Sequence, residues 1–492
     1  MDDWLAHRVR ASPDSLALVD ADTDREWSFR ALDSEVEETA RRLAGLGVEP
    51  GDHVGVLMET RPAFVRLVFA VQRVGATLVP LNARLAPAEL AAQVETADVH
   101  VVVTEAESED DALDAAGDVP VASVDPPGRD GVTALDEHDA RTPDATLDVS
   151  DTLALPFTSG TTGDPKAVRL THANFLAAAS ASAFRLGVLP TDRWLCPLSM
   201  YHMGGLSIVL RSVLYGTTAV VQRGFDAQRT LHNLDTYACT GVSLVPTMLR
   251  RMLDAGTFPD SLRFVLVGGA PTPVDLREDA VDRGVPVYPS YGMTEAASQI
   301  ATGTPAETEA APDSVGRPLI GYDVTVAGPD GELPQGEVGA IHVDSPSITP
   351  GYYDAPDANA DAFTQYGFAT GDAGYLDESG RLHVLNRQSD RIITGGENVH
   401  PAEVLEVLRD HPAVAEAAVA GIADPEWGER VAALVVADGD LDATTLQEFC
   451  RERLAGYKVP RTVAFADDIP RTASGTVDRE AVRDALAAAA DV

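Results

Sequence analysis

Thr158-Ser159-Gly160-Thr161-Thr162-Gly163-Asp164-Pro165-Lys166 follows directly on the apolar run Thr152-Leu153-Ala154-Leu155-Pro156-Phe157. A buried strand that runs out into small hydroxyl residues and glycines can turn its backbone N–H groups inward around an anion. The hydroxyls add donors, and one ammonium stands at the rim. The stretch is not a Walker A loop, because Lys166 does not follow Gly at the G-x-x-x-x-G-K-[ST] spacing. A plain surface Ser/Thr/Gly turn would leave unexplained why one of only two lysines in the chain, Lys166 and Lys458, stands there.

Working outward, Val54-Gly55-Val56-Leu57-Met58 and Thr77-Leu78-Val79-Pro80-Leu81 read as buried strands, with helical spacing from Ala63 to Val74 between them. That alternation predicts α/β layers. Glu105 to Asp151 is acidic, bears Pro and Gly, and is weakly periodic, which predicts a solvent-exposed excursion. Phe264-Val265-Leu266-Val267 reads as a strand running into Gly268-Gly269. From 322 to 386, turn signals such as Pro329-Asp330-Gly331 and Glu378-Ser379-Gly380 separate short strands and predict a β-rich subdomain. Beyond Asp390 a helix from Pro401, a strand at Ala417-Ala418-Val419-Ala420 and a helix near 443–454 predict a smaller α+β unit. The expected fold class is therefore α/β. A large N-terminal domain (1–388) carries the α/β layers and the β-rich subdomain, and a small mobile C-terminal α+β domain (389–492) begins near Ser389.

A length of 492 residues calls for two or more domains, and 45% hydrophobic with 23% charged residues marks a globular chain. No apolar run approaches the roughly 18–20 residues needed to cross a bilayer. Met1-Asp2-Asp3-Trp4 lacks a basic segment followed by an apolar core. A cytoplasmic protein without membrane insertion is expected. Cys196, Cys239 and Cys450 lie far apart, with no metal-ligand or redox spacing, and are expected to be small buried residues in a reducing compartment. The net charge is -40; 49 of the 77 acids are Asp and 35 of the 37 bases are Arg. Such a surface repels itself at ordinary ionic strength. In molar salt the screening length falls to about 3 Å and the repulsion largely disappears. The composition thus predicts a halophilic protein of a very salty cytoplasm. An acidic surface for a basic partner is disfavoured because the acids are spread along the whole chain, and nucleic-acid binding is disfavoured for want of a basic patch.

The loop at 158–166 resembles the phosphate-loop signature of the adenylate-forming (AMP-forming) acyl-CoA synthetase superfamily, and further segments follow in that family's order. The resemblance implies that Thr158, Ser159, Gly160, Thr161, Thr162, Gly163 and Lys166 bind ATP phosphates. Tyr291-Gly292-Met293-Thr294-Glu295 is similar to the second family motif, which implies that Thr294 contacts phosphate and Glu295 helps hold Mg²⁺. A carboxylate beside a triphosphate is repulsive unless a divalent cation lies between them, so the ligand role is physically sensible. Thr370-Gly371-Asp372 and Arg387 resemble the ribose-binding positions, and Gly268-Gly269-Ala270-Pro271 the turn that flanks adenine. Ser389, Asp390 and Arg391, with Gly395-Gly396-Glu397, resemble the hinge and the segment along the pantetheine arm of CoA; Lys458 matches in Gly456-Tyr457-Lys458. The resemblance implies ATP and CoA as substrates, Mg²⁺ as cofactor, and a homo-oligomer as an allowed assembly.

One position departs from the pattern. In Pro470-Arg471-Thr472-Ala473-Ser474-Gly475-Thr476, Thr476 stands where the family carries its adenylation lysine. A threonine supplies no cation, and such electrostatic groups are typically worth several kcal/mol in a transition state. Slow adenylation, substitution by Lys458 or Arg479, and a deliberate change all account for it. His202 in Met200-Tyr201-His202-Met203-Gly204-Gly205-Leu206 matches a position beside the acyl pocket. Within the superfamily, the segments around 203–207, 285–300 and 395–401 are closest to o-succinylbenzoate–CoA ligases of menaquinone synthesis. A second substrate carboxylate would need donors, for which Ser298, Gln299 and Arg211 are candidates. No segment with a phosphopantetheine serine follows the last motif, so free CoA is the expected acceptor. An aryl- or medium-chain fatty acid CoA ligase, and a non-catalytic acyl-nucleotide binder, are the alternatives.

Overall fold

Helix Pro62–Val74 opens on a proline in its first turn and closes on Gly75, whose left-handed φ of 78° ends the helix without a Cβ penalty. It lies in sequence between strands His53–Leu57 and Thr77–Leu81, each buried along its whole length, as parallel strands covered on both faces are. These elements belong to a computed structural model that describes residues 1–158, 166–387, 392–394, 397–399, 401–424, 427–454, 456–472 and 477–490. The chain forms two compact units, Met1–Val324 with Val343–Phe368, and Thr325–His342 with Ala369–Val492.

The first unit holds two large sheets. One runs in the order Leu170–Thr171, Thr152–Ala154, Thr77–Leu81, His53–Leu57, Val101–Thr104, Val121–Ser123, Val132–Ala134, parallel except at Leu170–Thr171. The other runs Arg317–Pro318, Ser298–Thr302, Val287–Met293, Phe264–Val267, Gly241–Leu244, Arg193–Cys196, Thr218–Val221, Leu16–Asp20, Arg25–Ser28. Its central strands are parallel and its outer ones antiparallel. The expected excursion at 105–151 is in part built structure. It supplies helix Glu109–Ala116 and the last two strands of the first sheet. Its helix buries only alanines and Glu109, and each strand has three residues, so neither period is visible in the sequence. The apolar run 152–157 is likewise not one strand; it breaks at Leu155-Pro156 and resumes as Phe157–Thr158.

In the second unit, Asp372 to Leu376 pairs antiparallel with Leu382–Arg387. A five-stranded sheet places Gly428–Ala437 between Val414–Asp424 and Ile392–Thr394, with Glu397–Val399 at the edge and Thr462–Phe465 alongside. Helices Pro401–Arg409 and Ala443–Arg451 pack through Val404, Leu408, Leu446 and Cys450, and Arg479–Ala490 packs through Val482 and Leu486. The predicted α+β unit is present, as are the α/β layers and the short β-strands. No described helix is long and apolar enough to cross a membrane. All three cysteines are buried and free, and burial pushes the Cys196 and Cys239 thiols up to about 12.

Candidate active site

The expected phosphate loop is held at its two ends by a short antiparallel ladder in which Lys166 pairs with Thr158 and Ala167 with Phe157. Ser159, Gly160, Thr161, Thr162 and Gly163 lie outside the described residues. Lys166 sets its Nζ 5.2 Å from the ring centre of Tyr352. Among the described residues it makes no ion pair, although the chain holds 77 acids. The hydroxyl of Tyr352 donates to Glu295 Oε1 at 2.9 Å. One aromatic side chain therefore brings the candidate phosphate lysine and the candidate metal carboxylate together.

Glu295 belongs to a hairpin built from strands Val287–Met293 and Ser298–Thr302. A single 3₁₀ turn, Thr294–Ala296, joins them, and Ala297 and Ser298 follow with φ of 52° and 125°. Two successive non-glycine residues at positive φ cost roughly 1–3 kcal/mol each, a strain of the kind that persists where surrounding contacts impose it. Here Thr349 N–H donates to the Glu295 carbonyl at 2.7 Å, and Gly292 admits the strand opposite. A Cβ on Gly292 would stand 1.8 Å from the Ser298 carbonyl oxygen. Tyr291, Met293 and Thr294 are half-buried on this hairpin, while Glu295 is 6% exposed. Gly268 to Pro271 leave the C-terminal end of strand Phe264–Val267, next to Val287–Met293, with Gly269 at φ 80°. The ends of parallel strands are where α/β sheets take ligands.

Gln299, on the returning strand, organises a buried polar cluster. Its Oε1 accepts from Arg211 Nη1 at 2.9 Å and from Ser182 Oγ at 2.6 Å, while its Nε2 donates to Thr302 Oγ1 at 2.9 Å. Arg211 is fully buried on helix Met203–Tyr215, and its Nε and Nη2 have no hydrogen-bond partner among the described residues. Burial pushes its pKa down, opposed by Tyr215 and Tyr322. A buried cation with no anion beside it among the described residues is costly. His202 begins the same helix, about 13 Å away along the axis at 1.5 Å per residue. Its ring stands edge-on to Tyr201 at 4.8 Å. The ring is reachable by solvent yet has protein packed around it, which lowers its pKa, with Arg84 adding to the effect.

In the second unit, Asp372 is 7% exposed, and its N–H donates to Thr370 Oγ1 at 3.1 Å. Strand register sets Asp372 directly opposite Arg387, the other expected ribose residue. Glu397 pairs with Thr394 in the edge ladder. Lys458 is half-buried, with Nζ 5.9 Å from the Tyr457 ring centre. Ser389, Asp390, Gly395, Gly396 and Thr476 lie outside the described residues. Among the described residues, one group of acids could converge on a metal, Glu105, Glu107 and Asp125, but Arg61 and Arg223 already pair with it. Glu295 is a buried oxygen donor of the kind a hard cation takes.

Residues 5–353 match the AMP-binding enzyme family and 403–476 its C-terminal domain. The chain belongs to the AMP-binding enzyme family. As an AMP-binding enzyme it is 39% identical to the 2-succinylbenzoate–CoA ligase of Bacillus licheniformis over 97% of its own length and 98% of the relative's. Among solved structures it is similar to the o-succinylbenzoate CoA synthetase (MenE) of Bacillus subtilis in complex with the acyl-adenylate OSB-AMP. The TM-score is 0.91 at 36% identity, covering 99% of this chain and 98% of that one. The same Bacillus subtilis protein in complex with ATP and magnesium ion matches with a TM-score of 0.90 at 35% identity over 99% of both chains.

The expected family and fold class are thus correct. Sequence reasoning missed Tyr352, Ser182 and Thr302. The first stands next to a turn with φ of 140° at Gly351, which was the available signal; the other two are ordinary hydroxyl residues made significant by burial around Gln299.

Proposed function

We propose that this chain is an ATP-dependent o-succinylbenzoate–CoA ligase of menaquinone synthesis, acting in the cytoplasm on small molecules alone. The observation that carries the choice of acid is Arg211, a buried guanidinium with two unpartnered nitrogens beside Gln299. A dicarboxylic substrate supplies the missing anion with its second carboxylate, and a bidentate guanidinium pair is among the strongest hydrogen-bonded contacts available. Ser298 offers a neutral donor, and His202 lines the entrance. The full-length likeness to 2-succinylbenzoate–CoA ligases supports the same reading.

In the first step a carboxylate oxygen of the substrate attacks the α-phosphate of ATP, and the bond to the β-phosphate breaks to release pyrophosphate. Lys166, Thr294 and the 158–163 loop hold phosphate oxygens, Gly268 to Pro271 flank adenine, and Asp372 with Arg387 holds the ribose. Mg²⁺, held by Glu295, would neutralise phosphate charge. The small domain then turns about a hinge near Ser389 and Asp390. The CoA thiolate, guided by Gly395, Gly396, Glu397 and Lys458, attacks the acyl carbon, and AMP leaves.

Substrate-dependent exchange of labelled pyrophosphate into ATP, run in molar KCl with o-succinylbenzoate, benzoates and hexanoate to dodecanoate, tests the proposal. Exchange strongest with o-succinylbenzoate is expected. Exchange strongest with a monocarboxylic acid would move the chain to an aryl- or fatty-acid ligase, and ATP binding without exchange would make it an acyl-nucleotide binder. Thr476 is the sequence feature behind that last outcome. Thr476→Lys is expected to accelerate adenylation by roughly 100-fold, the usual worth of one transition-state donor; an unchanged rate means that Lys458 or Arg479 already serves.

A further inference from the structure

We infer that Tyr352 is a positioning residue for the phosphate-and-metal end of the site. Its hydroxyl orients the Glu295 carboxylate and its ring face holds the Lys166 ammonium, so that the two opposite charges are kept for a ligand rather than for each other. The inference rests on the roles proposed above for Glu295 and Lys166.

The backbone around Tyr352 is fastened on every side. Its N–H donates to Asn359 Oδ1 at 2.6 Å, and Asn359 Nδ2 donates back to its carbonyl at 2.9 Å. Tyr352 bridges antiparallel to Val168, and Tyr353 N–H donates to the Ala167 carbonyl at 2.8 Å, which ties the segment to the strand carrying Lys166. Thr349, three residues earlier, ties it to the turn carrying Glu295 through the 2.7 Å bond to the Glu295 carbonyl. The phenol is thus delivered by a rigid strap between the two charged groups. An ammonium and a carboxylate that both contact one phenol are drawn towards each other, and a pair formed between them would have to be broken by each incoming phosphate and metal ion. The phenol instead donates a hydrogen bond to the carboxylate and turns its electron-rich face to the ammonium.

Tyr353 provides an internal control. Its hydroxyl makes a bond of the same chemistry and length, 2.9 Å to Asp98, away from the charged pair, with its ring against His53. Equilibrium ATP binding is measured in molar KCl, with EDTA and with Mg²⁺, for the wild type and for Tyr352→Phe, Tyr352→Leu and Tyr353→Phe, alongside thermal melts. Tyr352→Phe keeps the ring and is expected to leave binding in EDTA unchanged while reducing the gain on adding Mg²⁺ by about tenfold, the worth of one hydrogen bond. Tyr352→Leu is expected also to weaken binding in EDTA by about three- to fivefold, the size of a cation–π contact. Tyr353→Phe should change neither. A magnesium gain in Tyr352→Phe equal to that of the wild type overturns the inference, as does an equal loss in Tyr353→Phe, which would mark general loosening. These readouts need no turnover. Absence of pyrophosphate exchange in the wild type would therefore overturn the proposed function separately, leaving the binding comparison to decide the role of Tyr352.

Discussion

Arg211 shows how much one residue's meaning depends on what it lacks. Its Nη1 donates to Gln299, but Nε and Nη2 are buried without a hydrogen-bond partner among the described residues, in a chain of net charge -40 where acids are plentiful. Replacing such a cation with an apolar residue of similar reach removes a desolvation penalty, whereas removing an ordinary ion-pair partner exposes one. Arg211→Met is therefore expected to keep or raise the melting temperature while raising KM for o-succinylbenzoate by roughly 10- to 100-fold, the range for a charge-assisted hydrogen bond. ATP affinity should stay put. Pyrophosphate exchange at varied acid concentration, with a parallel melt, checks it; a lower melting temperature with unchanged KM would make Arg211 a packing group.

Among elements, the Val287–Met293 and Ser298–Thr302 hairpin is held close by the glycine at 292. Gly292→Ala forces a Cβ against backbone that is 1.8 Å away, and the strand must separate to admit it. A loss of about 2–3 kcal/mol in chemical denaturation is expected, as for an overpacked core, together with loss of exchange as Thr294 and Glu295 are displaced. Helix His172–Leu186 carries a different sensitivity. His172 is 2% exposed, bonded through Nδ1 to Gln72 Nε2 at 3.2 Å, and edge-on to Trp4. Burial pushes its pKa down to about 4, Asp151 opposing and the N-terminal ammonium assisting. The folded-state value lies below the unfolded one, near 6.5, so as pH falls the unfolded chain takes the proton first. The full stability is present above pH 6.5 and is lost as pH falls towards 4, by about 3 kcal/mol in all at roughly 1.4 kcal/mol per unit. His172→Gln is expected to flatten that slope, measured as denaturation free energy at pH 4 to 7 in molar KCl.

For the whole molecule, charge is the governing quantity. With 77 acids against 37 bases, the folded chain concentrates repulsion that the unfolded chain can relieve. Screening at molar salt is expected to add a few kcal/mol, hence raise the melting temperature by roughly 3–5 °C between 0.1 and 3 M KCl, at about 1 kcal/mol per degree for a chain of this size. Equal melting temperatures across that range would remove the halophilic reading. The acidic stretch after Glu105 shows why charge alone misleads about fold. It reads as an excursion, yet its Val121–Ser123 and Val132–Ala134 are strands that extend the sheet to its edge, because an acid-rich segment needs only a few small apolar residues to dock on an existing sheet edge.

Features that rest on neighbours in the chain are legible in the sequence by itself: the strand Phe264–Val267 running into Gly268-Gly269, the α/β alternation and the family order of motifs. Backbone geometry is local, so glycines, hydroxyls and turn residues announce it directly. The environment of the charged groups is decided only by the tertiary structure. Tyr352 reaches Glu295 across 57 residues and Arg211 reaches Gln299 across 88. Whether a charge is paired, buried or left waiting is a sum over everything packed around it, and packing brings together residues that sequence keeps apart.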